Sequence, residues 1–470
     1  MSGLYLAAVD GSNPIGSDLI TAIDMGPTVS GTVKVNVMNS IGPSDQFVIL
    51  KQTDLSPSTS MTAATTGLSV VSAQNSGIVS SWNMIPSQDQ LAISANLTFA
   101  PFGLPLGDNE RAYADHLQKT WDAGGSERLD RVYAELFNLP SQTDYQKALA
   151  SATPVVVATG SLSQAFVARD RLNAVQSCPE FDDQGGTGTL LVQRDCAWGR
   201  VGGGRKDFTP SNATGYTINA ATYAAGFQTE VAPNWFAGMS ASYMTDTYSN
   251  ATGLSNSNGQ GVDVTAVVKR EMGQWLFSGA LNLGYGWYDA ERWTAVGNKF
   301  YQSDSSYNVF AAATRLRADY EVPFQNWYLK PFGQLDLLYA STPGYDEGGH
   351  GSLYDLSVAG SDNFSVAIGP HLEVGGRVNF NDGSVLRPYA SAGVTWFSNS
   401  AWDVSASLQG APQAAGTFKT AVDAPDLLAD VTLGLQWSMP HGIDVRVNYE
   451  ANLGDNFTSQ SGMARLSVNF

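Results

Sequence analysis

The sequence predicts a mainly β protein ending in an antiparallel transmembrane β-barrel of about twelve strands, preceded by a short helical region and by stacked β-rungs. Three observations predict it. Residues 188–470 are built of segments ten to twenty residues long in which apolar and polar side chains alternate, with turn signals between them. The polar members of these segments include full charges of both signs, as in Arg315-Leu316-Arg317-Ala318-Asp319. The chain also holds 11 tryptophans, most of them beside turn signals, where the aromatic girdles of a membrane barrel would lie.

Composition sets the outer bounds. At 470 residues the chain has room for more than one domain. Charged residues make up only 14 %, well below the quarter usual in soluble proteins, while aromatics reach 11 % and glycines number 48. No stretch approaches the roughly 18–20 apolar residues of a membrane helix. A spanning strand alternates its faces, so the mean hydropathy of -0.13 fits a barrel as well as a soluble β protein. The formal charge of -18 argues against a nucleic-acid partner, which would need clustered Lys and Arg. It suits an exported protein. Met1-Ser2-Gly3-Leu4-Tyr5 has neither a basic region nor an apolar core of a signal peptide, and these residues read as the middle of a repeat. A fragment of a longer product is therefore expected.

The first zone, residues 1–102, carries short alternating runs bounded by Gly, Pro, Ser or Asn. They are Gly31–Val37, Phe47–Leu50, Leu68–Val71, Val79–Trp82 and Leu91–Leu97. Strands this short, with no helices between, suggest stacked coils or a small sandwich.

The second zone, residues 103–187, changes period. Tyr113, Leu117 and Trp121 fall at helical spacing, as do Leu129, Val132, Leu136 and Leu139, and then Tyr145, Ala148 and Leu149. Asp108, Ser126 and Ser141 are the expected N-caps. A longer helix is predicted over 154–176. Ser161, Ser163, Gln164, Arg169, Asp170, Arg171, Asn173 and Gln176 make it unusually polar, so it needs a wet or polar enclosure.

In the third zone, 188–470, Trp235 to Met244, Val262 to Lys269, Arg315 to Val322 and Ile443 to Glu450 alternate cleanly. In a closed barrel the polar rows face a hydrated lumen, where Arg315, Arg317, Asp319, Lys330, Asp336, Glu373 and Arg377 would cross-pair. Trp235, Trp275, Trp287, Tyr288, Trp293, Trp327, Tyr328, Trp396, Trp402 and Trp437 are the expected girdle residues. Val231–Asn234 and Met439–Gly442 read as tight turns; Tyr248–Gln260, Thr342–Gly360 and Leu408–Asp426 read as long polar loops. Cys178 and Cys196 suit one short-range disulfide in an oxidising compartment, the other reading being two separate thiols.

These residues resemble the C-terminal part of type V (autotransporter) proteins. The end Met463-Ala464-Arg465-Leu466-Ser467-Val468-Asn469-Phe470 is similar to their terminal strand, with Ala464, Leu466, Val468 and Phe470 on one face. The resemblance implies that this strand is read by the barrel-assembly machinery. Asn234-Trp235-Phe236-Ala237-Gly238-Met239-Ser240, and then Gly273-Gln274-Trp275 with Gly284-Tyr285-Gly286, Asp289 and Arg292, are similar to early hairpins of the family's barrel. Cys196-Ala197-Trp198-Gly199-Arg200 is similar to a first-strand motif of some members. The resemblance covers nearly the whole chain. It implies a passenger-junction or autochaperone end over 1–102 that is β-helix-like. It also implies a linker over 103–187 whose last helix threads the pore, and a barrel over 188–470. Some members cut themselves at an Asn-Asn pair in that helix; here Asn173 is followed by Ala174, so the passenger is expected to stay attached.

Other chemistry is thin. His116, His350, His371 and His441 have no metal-ligand spacing, and His371 is expected to face the lumen and make a structural hydrogen bond. No Gly-x-Ser-x-Gly elbow occurs, and Gly16-Ser17-Asp18-Leu19 lacks a following His. Gly202-Gly203-Gly204 before Arg205-Lys206 is expected to be a turn rather than a phosphate loop, and Asp182-Asp183 a solvated linker. No enzyme activity, cofactor or metal is expected. The expected role is a monomeric translocator in the outer membrane of a Gram-negative bacterium, its N-terminal part at the cell surface. Its partners would be lipid, the assembly machinery and its own passenger. A porin-like channel and a surface esterase are the alternatives.

Overall fold

The computed structural model describes residues 2–12, 20–22, 29–52, 67–74, 76–87, 89–176, 178–182, 189–209, 214–399 and 401–470. Gly16 to Leu19 and Asp183 lie outside them.

Twelve antiparallel strands close into a barrel. In chain order, strands 1 to 6 are Cys196–Phe208, Tyr216–Ala232, Trp235–Asn250, Ser255–Met272, Trp275–Val296 and Lys299–Tyr320. Strands 7 to 12 are Trp327–Thr342, Ser361–Gly376, Val385–Phe397, Leu427–Met439, Ile443–Gly454 and Phe457–Asn469. Each pairs with its neighbour in sequence, and strand 12 pairs with strand 1 from Cys196↔Asn469 to Phe208↔Phe457. Closure leaves no barrel edge, as hydrocarbon demands of backbone groups that have no water to bond.

The pleat sorts the side chains. Leu316 and Leu466 are 59 % and 55 % exposed on the outer face, while Arg315 and Arg465, one residue earlier, are 0 % and 3 % exposed on the inner face. At one end the strands join through short turns. Asn234 and His441 adopt the left-handed conformation there, with φ of 63° and 73°. This is called the turn end below, and the opposite one the loop end.

Several expectations change. Tyr248–Gln260 is no long loop: strands 3 and 4 stay paired up to Ser249↔Asn256. Its Ser and Asn residues are strand residues, and Ser255 and Ser257 are buried on the inner face. Gly202–Gly204 is no turn but lies within strand 1, where a Cβ on Gly204 would stand 2.9 Å from the Gln460 carbonyl oxygen. Tyr288 and Tyr328 point into the lumen and are 4 % and 0 % exposed, so neither belongs to a girdle. Trp402 is outside the barrel altogether. It lies in a loop-end hairpin, Ala401–Leu408 with Phe418–Asp423, that joins Leu356–Val358 and Tyr345–Asp346 in a four-stranded sheet. The alternation of Val404, Ala406 and Leu408 reads like a barrel strand, but its apolar face meets protein, not lipid.

Above this sheet lies a helical layer: α1 (Asp108–Asp122), α2 (Glu127–Phe137) and α3 (Gln142–Ala152). Ser126 and Ser141 cap α2 and α3, accepting from Leu129 N and Asp144 N. Asp108 does not cap α1; Gly107 holds that place and Asp108 enters the first turn, where its charge still suits the helix dipole. Tyr113, Leu117, Tyr133 and Tyr145 are fully buried between the layers, each contributing about 2–3 kcal/mol by burial.

The front segment stacks Ser2–Val9, Ser30–Val37 and Gly67–Ser72 in parallel and in register. Ile20–Ala22 lies parallel to Phe47–Gln52. An antiparallel hairpin, Val79–Pro86 with Gln90–Thr98, covers the stack by pairing with Phe47–Gln52. Asn138 Nδ2 donates to Val37 O at 2.7 Å and Ile41 N to Asp130 O at 3.0 Å, so rungs, helices and loop-end sheet share one apolar core.

Candidate functional site: the barrel lumen and its helix

Helix α4, Val155–Ala174, runs through the barrel from the loop end to the turn end. Entry is tight. Gly160 passes strand 6 where a Cβ would lie 2.6 Å from the Tyr307 hydroxyl, and Ser161 Oγ meets Thr342 Oγ1 at 2.8 Å. Midway, Ser163 Oγ donates to Asp246 Oδ2 at 3.2 Å and Gln164 Nε2 donates to Tyr288 OH at 2.8 Å. Phe166 packs between Phe397 and Phe457, each 5.8 Å away.

Lower down, charge takes over. Residues two apart on a helix point to opposite sides. Arg169 Nε therefore donates to Asp336 Oδ2 on strand 7 at 3.0 Å, while Arg171 Nε donates to Asp263 Oδ2 on strand 4 at 3.0 Å. Arg169 also reaches Thr395 at 2.9 Å, and Arg171 reaches Thr222 at 3.0 Å. Asp336 is shared with Arg315, at 2.6 and 2.7 Å, and Arg315 donates to Asn173 Oδ1. The polar residues of the helix are thus met by polar groups of the wall, while Ala168 and Leu172 pack against Ala311, Ala313 and Leu338. Charge-assisted bonds of this kind are worth about 1.5–3 kcal/mol each, offset by the cost of taking the ions from water. Asp170 lines a cavity of ≈ 160 Å³ between α4 and the wall.

At the turn end the exit is stitched. Cys178 and Cys196 are joined as a disulfide, tying the end of α4 to the start of strand 1. The short hairpin between them, Pro179–Phe181 with Leu191–Gln193, lies across the mouth. Thr189 donates to Phe324 O at 2.7 Å, Leu191 N to Glu321 Oε1 at 2.7 Å, Lys269 Nζ to Gln193 Oε1 at 2.9 Å and Gln436 Nε2 to Pro179 O at 3.0 Å. These partners come from several sides of the rim. Nothing in the sequence beyond the cysteine spacing pointed to this hairpin.

The other candidates fall as follows. Lys330 pairs with Glu373 at 2.9 Å, and Arg317 with Asp319, two residues away on its own strand, at 2.6 Å. Arg377 is not on a barrel strand; it follows strand 8 and lies over the Phe181 ring at 5.1 Å, at the mouth. His371 Nε2 stands 3.0 Å from Asp430 Oδ2, and His350 Nε2 stands 3.0 Å from Asp304 Oδ2. Ala464, Leu466, Val468 and Phe470 are exposed along the outside of strand 12 and its end. The sequence reading did not single out Asp246, Asp263, Asp430 or Arg387 as lumen residues, although the same alternation carries them. Among the described residues no cluster of His, Cys, Asp or Glu is placed to hold a metal ion, and no helix is long and apolar enough to cross a membrane.

A family model described as the autotransporter beta-domain matches residues 197–450, more than half of the chain. The chain belongs to that family. The autotransporter's fold is similar to the translocator domain of NalP from Neisseria meningitidis. That match has a TM-score of 0.53 and 16 % identity, covering 67 % of this chain and 99 % of that one. Further similarity is found to the beta domain of BrkA from Bordetella (TM-score 0.42, 18 % identity, 59 % of this chain and 100 % of that one). The transport unit of AIDA-I from Escherichia coli is also similar (TM-score 0.42, 12 % identity, 67 % and 99 %). No curated protein matches the autotransporter in sequence.

Proposed function

We propose that this chain is an outer-membrane translocator that anchors and exports an N-terminal passenger to the bacterial surface. One observation carries the reading: the covalent chain runs through its own pore. The front rungs and α1–α3 lie at the loop end, α4 descends the lumen, and strand 1 begins at the turn end. The described residues before α4 therefore lie on the far side of the barrel from where the barrel's last strand ends.

In this reading the passenger stays attached, with residues 1–102 as its barrel-proximal, autochaperone-like end. Strand 12, with Ala464, Leu466, Val468 and Phe470 outward, is the segment read by the barrel-assembly machinery. The barrel acts as a monomer, in contact with lipid, its passenger and that machinery. It performs transport and anchoring rather than catalysis. A porin-like role is disfavoured by a lumen occupied by α4 and a mouth crossed by the disulfide-tied hairpin.

An epitope placed at the N-terminus tests the proposal. Antibody should label it on intact cells that make the whole chain. Labelling only after the outer membrane is permeabilised would overturn the reading.

A further inference from the structure

The outer face of the barrel is apolar but not even. One straight row crosses strands 3 to 8 through the pairs Trp235↔Arg270, Arg270↔Phe277, Phe277↔Ala318, Ala318↔Gly333 and Gly333↔Pro370. One row nearer the loop end, Gly279 stands between Val268 and Leu316. Gly279, Ala318 and Gly333 raise little or nothing from the wall, and a Cβ on Gly333 would meet no atom within 4 Å. Phe277, Leu316 and Ile368 stand exposed around them. The result is an open groove of ≈ 870 Å³ with an apolar floor.

A charge stands at its rim. Arg270 is exposed near the turn end of strand 4, with its guanidinium over the Trp235 ring at 4.7 Å. A guanidinium so placed engages the ring through its flat face and keeps edge N–H groups for an anion. Among the described residues, the other charged side chains of the outward rows, Arg205, Asp207, Asp289, Glu291, Asp304 and Asp362, stand toward the loop end. The nearby carboxylates Glu230 and Glu271 accept from Asn234 N and Gln193 N. Two further outer grooves, beside Tyr223 and beside Trp327, have no charged outward residue. An Arg–Trp pair at the margin of an apolar belt lies at the depth of lipid phosphates.

We propose that this groove binds one acidic glycerophospholipid, an acyl chain lying over Gly279, Ala318 and Gly333 and the phosphate held by Arg270 beside Trp235. The guanidinium fork matches the paired oxygens of a phosphodiester. Free phosphate would make no use of the apolar floor. A second copy of the barrel fits poorly, because two-fold pairing sets a patch against itself and the outward rows of this half carry no carboxylate for Arg270 among the described residues. The inference rests on the barrel spanning a membrane and not on the direction in which the passenger travels.

The test uses the purified full chain folded in detergent and titrated with phosphatidylglycerol or with phosphatidylcholine of the same acyl chains. Its unfolding midpoint is read by heat-modifiable gel migration. Phosphatidylglycerol should raise the midpoint along a saturating curve, and phosphatidylcholine should need about tenfold more for the same rise. Arg270→Gln should move the phosphatidylglycerol curve about tenfold, onto that of phosphatidylcholine. Gly333→Leu, whose side chain fills the groove, should flatten both curves. Arg205→Gln, at the loop end, should respond as the parent does. Equal parent curves for the two lipids would overturn the proposal. So would equal losses in Arg270→Gln and Arg205→Gln, or a Gly333→Leu variant with the parent's curves. A midpoint that follows protein concentration and ignores lipid would give the groove to a second copy and overturn it as well. The compact unheated form reports barrel closure separately, so a failed lipid response leaves the barrel itself standing. If a variant does not reach that form, native mass spectrometry of the parent in an equal mixture of the two lipids decides. One retained phosphatidylglycerol supports the proposal; retention of neither lipid, or of both alike, sinks it.

Discussion

Arg169, inside the barrel, and Asp336, on its wall, meet at 3.0 Å although 167 residues separate them. Asp336 also takes both ends of the Arg315 guanidinium, so one carboxylate fastens the helix to the wall. Asp336→Asn should lower stability by about 3–5 kcal/mol, because two cations lose a buried partner. In planar bilayers it should also make the channel open more often. A variant as stable and as closed as the parent would contradict this.

Gly160 passes Tyr307 with no space for a side chain: a Cβ would stand 2.6 Å from the hydroxyl oxygen. Gly160→Val should unseat the upper part of α4 and raise conductance, although valine is a better helix former than glycine by a few tenths of a kcal/mol. Tyr307→Ala should restore closure in the double variant. If Gly160→Val alone conducts like the parent, the close approach has no consequence for sealing.

The disulfide closes a loop of 18 residues at the turn end. Its removal by Cys178→Ser with Cys196→Ser should cost about 3 kcal/mol, the value loop-closure entropy gives for that length. The change should appear in the heat-modified migration of the folded chain. No difference between oxidised, reduced and serine forms would show that the link contributes nothing.

Two groups at the loop end, outside the spanning strands, set opposite pH trends. Burial, with Lys119 nearby, lowers the His116 pKa from 6.5 to about 4, and its Nε2 accepts from Leu408 N at 3.2 Å, which requires the neutral ring. A folded-state pKa below the unfolded one gives stability that is complete above 6.5 and is lost as pH falls through about 4. Burial, with Asp45 and Glu127 nearby, raises Asp130 from 3.8 to about 6, so its contribution is complete below 3.8 and is lost as pH rises through about 6. Thermal midpoints of the full chain between pH 4 and 7 should flatten on the acid side with His116→Gln and rise near pH 7 with Asp130→Asn. Unchanged profiles in both variants would refute the assignments.

Alternation made the barrel legible because the pleat fixes a period of two, and lipid on one side with water on the other rewards it along every strand. The same period recurs at Val404, Ala406 and Leu408, where protein takes the place of lipid, and so Trp402 beside them is a core residue rather than the expected girdle residue. Gly202–Gly204 read as a turn because glycine is the commonest turn former. In a curved wall it is instead the residue that leaves room, as at Gly204 against Gln460 and Ser461. The polarity of α4 was legible, but its partners were not. Asp246, Asp263 and Asp336 lie on three different strands, and only closure of the barrel brings them to one helix.

Phe470 is 77 % exposed at the end of the outward row, with its backbone N donating to Asp195 O at 3.1 Å. Deleting it should reduce the amount of barrel assembled in cells several-fold while leaving refolding in detergent nearly unchanged. Equal losses in both settings would point to folding rather than to recognition.

Strands 1 to 12 close into a membrane cylinder around α4. Gel migration of the purified chain in detergent, unheated against boiled, reads this directly. A compact, faster-running form that shifts to full size on boiling is the predicted result. A chain that stays dissolved and monomeric without detergent and migrates identically before and after boiling would contradict it.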